Sequence, residues 1–140
     1  MASQIAALSN GSFGTAMELS QGDYKTELTQ TFEEILEPNS ALDAFGIAAS
    51  LKGKKNMADH LLSLLTMYVR DLLVLKTDPS HPIFLRHYRK RMEATVSRTT
   101  VQNLQRAASV IQEVNESFQG NVNEQMTWER LMLGMHGVLF

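Results

Sequence analysis

Asn56-Met57-Ala58-Asp59-His60-Leu61-Leu62-Ser63-Leu64-Leu65-Thr66-Met67-Tyr68-Val69-Arg70-Asp71-Leu72-Leu73-Val74-Leu75 is the stretch on which the reading of the fold turns. Met57, Leu61, Leu64, Leu65, Tyr68, Leu72 and Leu75 recur at the spacing of one helix face. Leu62, Val69 and Leu73 add an adjoining face. An apolar surface that wide exceeds what one partner helix covers, so this helix is expected at the centre of a bundle. Asn56 is the expected N-cap, and Thr77-Asp78-Pro79 stops the helix because proline pushes its predecessor out of helical geometry. Ser63, Thr66, Arg70 and Asp71 interrupt the run from Leu61 to Val74, which excludes a membrane span there.

Helical period continues on both sides. Upstream, Leu28, Phe32, Ile35 and Leu36 form one stripe that ends at Pro38-Asn39-Ser40. A short helix from Ala41 is expected to turn Leu42, Phe45, Ala48 and Ala49 inward and to end at Gly53, beside Lys52, Lys54 and Lys55. Downstream, Pro82 to Val96 carries Leu85, Tyr88, Met92 and Val96 opposite Arg86, Arg89 and Lys90. Ser97 is the expected cap of a helix with Val101, Leu104, Ala108, Ile111 and Phe118 on its seam, joined there by Asn115 and closed by Gly120. A last helix follows Asn121-Val122-Asn123 and holds Met126, Trp128, Leu131, Met132 and Met135. No alternation at period two and no internal repeat is visible. The expected fold is all-α, an antiparallel helical bundle of about five principal helices joined by short loops, with Leu65, Leu72, Leu104 and Ile111 buried.

Composition is that of an ordinary globular protein: 140 residues, 44% apolar and 20% charged. A formal net charge of -2 argues against a dedicated nucleic-acid binder without excluding a local basic patch. With no cysteine, neither a disulfide nor a thiolate metal site is available, which fits a reducing compartment. The start of the chain lacks the basic-then-apolar form of a signal peptide, and a cytoplasmic location is expected.

Few residues invite a catalytic reading. His60, His81, His87 and His136 are too dispersed for a ligand set and read as surface or boundary histidines, so no metal is expected. Asp59 and His60 are adjacent and fall on different helix faces, which spoils an acid-base dyad. Glu33 and Glu34 read as a solvated face. The basic cluster Arg86, His87, Arg89, Lys90 and Arg91 is the strongest rival feature: Arg86, Arg89 and Lys90 share a face that suits phosphates, whereas Tyr88 falls on the core stripe. Trp128, Met126, Met132 and Met135 suit an interface and a bundle core alike.

Near the start stands Leu8-Ser9-Asn10-Gly11-Ser12-Phe13-Gly14-Thr15-Ala16-Met17-Glu18-Leu19, read as a helix end, a tight turn and a new helix capped by Ser12. As local chemistry this is an ordinary Gly-Ser turn before a helix. Its wording resembles the second sensor motif of clamp-loader ATPases, which place a ring-shaped processivity clamp on DNA. In the hydrolysing members an arginine follows "Gly-Ser-apolar"; here that position is Gly14, which offers no guanidinium to a phosphate. The departure points to the non-hydrolysing delta prime subunits of bacterial DNA polymerase III. Asn121-Val122-Asn123-Glu124-Gln125-Met126-Thr127-Trp128-Glu129-Arg130-Leu131-Met132-Leu133 is similar to the closing helix of that family, with Glu124 and Met126 where proline and leucine are usual. The order of Gly-Ser turn, long leucine-rich helix, Ser-capped helix and Asn-turn helix extends the resemblance over nearly the whole chain.

The resemblance implies a C-terminal piece of a longer subunit. Residues 1–21 would close the helical lid domain, and residues 22–140 would form the collar, the oligomerisation domain that holds the loader's subunits in a ring. The implied partners are the delta and gamma/tau subunits, with DNA met only indirectly and no membrane involved. The nucleotide-binding core is missing: Leu51-Lys52-Gly53-Lys54-Lys55-Asn56 lacks the first glycine and the Ser/Thr of a phosphate loop. The fragment is therefore expected to be no enzyme and to need no cofactor, while its parent would belong to the DNA polymerase III holoenzyme. Zinc held by cysteines of the N-terminal core in many members has no ligands here. A collar apart from its ring is expected to expose apolar side chains and to self-associate; Trp128, Leu131, Met135, Ile111 and Phe118 are the interface candidates. The competing expectation is a free-standing helical nucleic-acid-binding module using the Arg86 to Arg91 face.

Overall fold

The computed structural model describes residues 14–38, 40–120 and 123–139, and every regular element among them is helical. Helix α1 runs Gly14–Leu36, α2 Ala41–Leu51, α3 Ala58–Thr77, α4 Arg89–Val96, α5 Val101–Gln119 and α6 Glu124–Met135. Single 3₁₀ turns, Lys55–Met57 and Arg86–Tyr88, lead into α3 and α4. None of these helices is long and apolar enough to cross a membrane. Residues 8–13, with the Ser12 cap, and the candidate cap Asn121 lie outside the described residues. Helix α1 begins at Gly14 and runs unbroken through positions 21 and 22.

Helix α3 is the axis of the bundle and packs against α1, α4 and α5, while α6 lies against both α2 and α5. Its buried residues include Leu61, Leu64, Leu65, Tyr68 and Leu72 on one face and Leu62 and Val69 on the next, as the wide apolar surface requires. Leu65, Leu72, Leu104 and Ile111 are all buried. Phe32, Tyr68 and Tyr88 meet edge to face where α1, α3 and the start of α4 converge, with ring centroids 5.5 to 6.0 Å apart. Burial there pushes the Tyr68 hydroxyl up to about 12, against the opposing pull of the Arg91 charge.

Turn chemistry sets the other helix ends. Ser40 caps α2 by accepting from Asp43 N, and Asn123 caps α6 by accepting from Met126 N. Gly53 follows α2 with φ +89°, a left-handed conformation that side chains resist. Two expected caps move. Helix α5 is capped by Thr100, whose hydroxyl accepts from Asn103 N, because Ser97 ends α4 by donating to Ala94 O. Asn56 caps nothing: it is exposed inside the 3₁₀ turn, whose entry is closed by backbone bonds from Lys54 N to Leu51 O and from Met57 N to Lys54 O. Pro82 to Leu85 lies before the helical part of its segment.

Side-chain faces also differ in two helices. On α5 the seam is Leu104, Ala107, Ile111, Val114 and Phe118, and Ala108 is exposed; Val101 and Asn115 are half-buried. On α2 the inner residues are Ala44, Ala48 and Leu51, while Leu42, Phe45 and Ala49 face outward. Alanines let α2 lie close to α6, and a helix apolar on every side gives its own sequence no power to choose a face.

Candidate functional site

Trp128, Leu131, Met135, Ile111 and Phe118, the interface candidates, are core residues of this chain. Helix α6 is covered by α2 on one side and α5 on another, so Trp128, Leu131, Met132 and Met135 are consumed inside the domain. The Trp128 indole lies 4.7 Å from the Phe118 ring and donates to Glu124 Oε2 at 3.1 Å. The same carboxylate oxygen accepts from Gly53 N at 2.9 Å, tying the end of α2 to the first turn of α6.

The apolar side chains left outside are different ones. Leu42 is 81% exposed and Phe45 44%, and they stand one turn apart on the outer side of α2 with Gly46 and Ala49. Met126 and Leu133 are exposed on α6, beside Val110 and the Arg130–Glu113 ion pair. Periodicity places Leu42 and Phe45 inward, and the only contrary signal is that α2 holds more apolar residues than one face needs, whereas Met126 is among the residues that suit an interface and a core alike.

The basic segment divides into tied and untied cations. Arg91 donates to Leu36 O at 3.0 Å and pairs with Glu37 at 2.8 Å, which caps the end of α1. Arg89 pairs with Glu93 and donates to Pro79 O. Arg86 and Lys90 are exposed and have no such partner among the described residues. Tyr88 is core, donating its hydroxyl to Glu33 at 3.2 Å, so Glu33 is half-buried and not a plain solvated residue. Burial and the neighbouring Glu33 charge hold the Tyr88 hydroxyl well above the ordinary tyrosine value.

A cleft of about 650 Å³ opens between α3 and α5. Asp59, His60 and Ser63 line one wall and Gln112, Asn115 and Gln119 the other, over a floor that includes Leu62 and Ile111. Asp59 and His60 thus reach one cleft despite their angular separation on the helix. The Tyr24 hydroxyl, from α1, is hydrogen-bonded to His60 Nδ1, with the two rings edge to face at 5.5 Å. Burial pulls the His60 pKa below its ordinary value of 6.5, and the Asp59 charge opposes this. The unfolded chain therefore binds that proton more tightly than the folded one. Stability contributed by neutral His60 is complete above about pH 6.5 and declines as pH falls through that value towards the lower folded one. In thermal melts between about pH 7.5 and 5, His60→Gln should flatten the decline of melting temperature relative to the parent. An unchanged slope would show that the ring does not titrate differently on folding.

Comparison with protein-family models, with curated proteins and with solved structures gives no match to this chain.

Proposed function

We propose that the chain is an assembly module: the collar region of a clamp-loader subunit of the delta prime type, held beside delta and gamma/tau subunits and performing no catalysis itself. Support comes from the all-helical bundle and from the sequence order of Gly-Ser turn, long leucine-rich helix and Asn-capped last helix, although the helix between them is capped by Thr100 and not by Ser97. The observation that carries the reading furthest is the outer side of α2, where Leu42 and Phe45 stand in solvent while the opposite side packs on α6. Aromatic side chains, Phe among them, are enriched in protein interfaces relative to the rest of the surface. On this reading the docking surface is α2, and the residues first expected there stabilise the domain that presents it.

The test is capture of the chain by immobilised delta and gamma/tau subunits. Leu42→Asp with Phe45→Asp should leave helical content intact and move stability by no more than about 0.5 kcal/mol, as for other surface changes. Capture should fall by more than about tenfold, the loss expected when a central anchor is removed. Met126→Asp with Leu133→Asp probes the second exposed pair in the same assay. Capture undiminished in both double variants would overturn the assembly reading.

A further inference from the structure

We propose that the loop before α4 is a binding site for single-stranded nucleic acid, with Phe84 stacking on a base and Arg86 and Lys90 meeting phosphates of the same strand. This inference stands independently of the assembly reading, which brings DNA near the chain only through other subunits.

Charge selects the class of partner. Residues 70–98 contain seven Lys and Arg against three Asp and Glu, whereas the rest of the chain contains six against twelve. A strongly positive segment is therefore set into an acidic protein. Of its carboxylates, Asp71 is buried and occupied by backbone amides, Glu93 is paired with Arg89, and Asp78 is turned to Ser80. Arg86, in the 3₁₀ turn, and Lys90, in the first turn of α4, have no partner among the described residues and lie four residues apart, roughly 6 to 8 Å along the axis, so each can reach a different phosphate.

Phe84 selects a base over a purely anionic ligand. It is 52% exposed, unlike the buried Ile83 and Leu85 on either side of it. The Arg70 guanidinium lies over its ring at 4.3 Å from the centroid, a preformed cation-on-aromatic platform. The backbone that carries the ring is fixed from below, because Asp71 accepts from the Phe84 and Leu85 amides at 3.0 and 2.7 Å. A flat ring and a planar cation beside two untied positive charges suit an unstacked base and its flanking phosphates. The paired bases of a duplex present no free face to such a platform.

Fluorescence anisotropy of a labelled thymidine strand of about 16 nucleotides, titrated with the chain between about 50 and 200 mM salt, tests this. Binding should weaken steeply with salt, and Arg86→Ala with Lys90→Ala should lower the logarithmic salt slope by about 1.4, two single-strand phosphate contacts. Phe84→Leu, which keeps an apolar side chain and removes the ring, should weaken binding by about tenfold. The same variant should leave binding of an abasic strand of equal length unchanged. Circular dichroism melts identify any variant that has lost its fold. Four results would each overturn the proposal: no binding at the lowest salt, equal affinity for a duplex, equal affinity for a polyglutamate peptide, or a Phe84→Leu chain that is folded and binds the thymidine strand undiminished.

Discussion

Trp128→Ala should lower the unfolding free energy by about 3 to 5 kcal/mol, in urea denaturation followed by circular dichroism. The indole is fully buried where α2, α5 and α6 meet, so truncation forfeits its transfer energy and leaves a cavity that neighbouring helices close only in part. It also removes a donor from Glu124, which keeps its bond to Gly53 N. Against a total of roughly 5 to 15 kcal/mol for an ordinary domain, that loss threatens folding outright. Trp128→Phe retains most of the ring volume and forfeits the indole N–H, and should cost about 1 to 2 kcal/mol. A loss below about 1 kcal/mol for the alanine variant would mean that the indole does not support the core.

The same residue shows where sequence reading succeeds and where it stops. A tryptophan in a Met-rich helix satisfies the composition of an interface and of a core equally, and the choice depends on whether two other helices already cover it. That is a long-range property, decided by α2 packing from about eighty positions earlier in the chain. Helix α3 was legible because its polar interruptions, Ser63, Thr66 and Arg70, leave a definite apolar sector. Helix α2 was not, because Leu42 and Phe45 on one side and Ala44, Ala48 and Leu51 on the other satisfy the helical period equally well. Around the start of α4, the cations are visible in the sequence, but their allegiances are not. Arg89 and Glu93 stand at the i,i+4 spacing of a helix pair, but no spacing rule identifies Pro79 as a partner of Arg89 or Leu36 and Glu37 as partners of Arg91, and the Phe84–Arg70 contact joins elements separated by a turn.

Asp71→Asn should cost about 3 to 5 kcal/mol, far more than a one-atom change within a long helix ordinarily does. In the sequence this aspartate only interrupts an apolar run. In the fold its side chain is fully buried, and its two oxygens accept the amides of Phe84 and Leu85 while Arg70 lies 3.5 Å away. Each bond joins an ionised acceptor to a backbone donor, stronger than a neutral pair, and the Leu85 amide has no access to water as a substitute. Asparagine preserves the shape but turns an N–H₂ towards one of those donors, so one amide loses its partner and the other keeps only a neutral one. Hydrogen exchange gives the discriminating measurement, because the injury is local before it is global. The Phe84 and Leu85 amides should exchange orders of magnitude faster in Asp71→Asn, and amides at the centre of α5 should accelerate only as far as the fall in global stability requires. If both loop amides keep their protection, the carboxylate does not hold the loop, and the platform that carries Phe84 must be fixed by the packing of Ile83 and Leu85 instead.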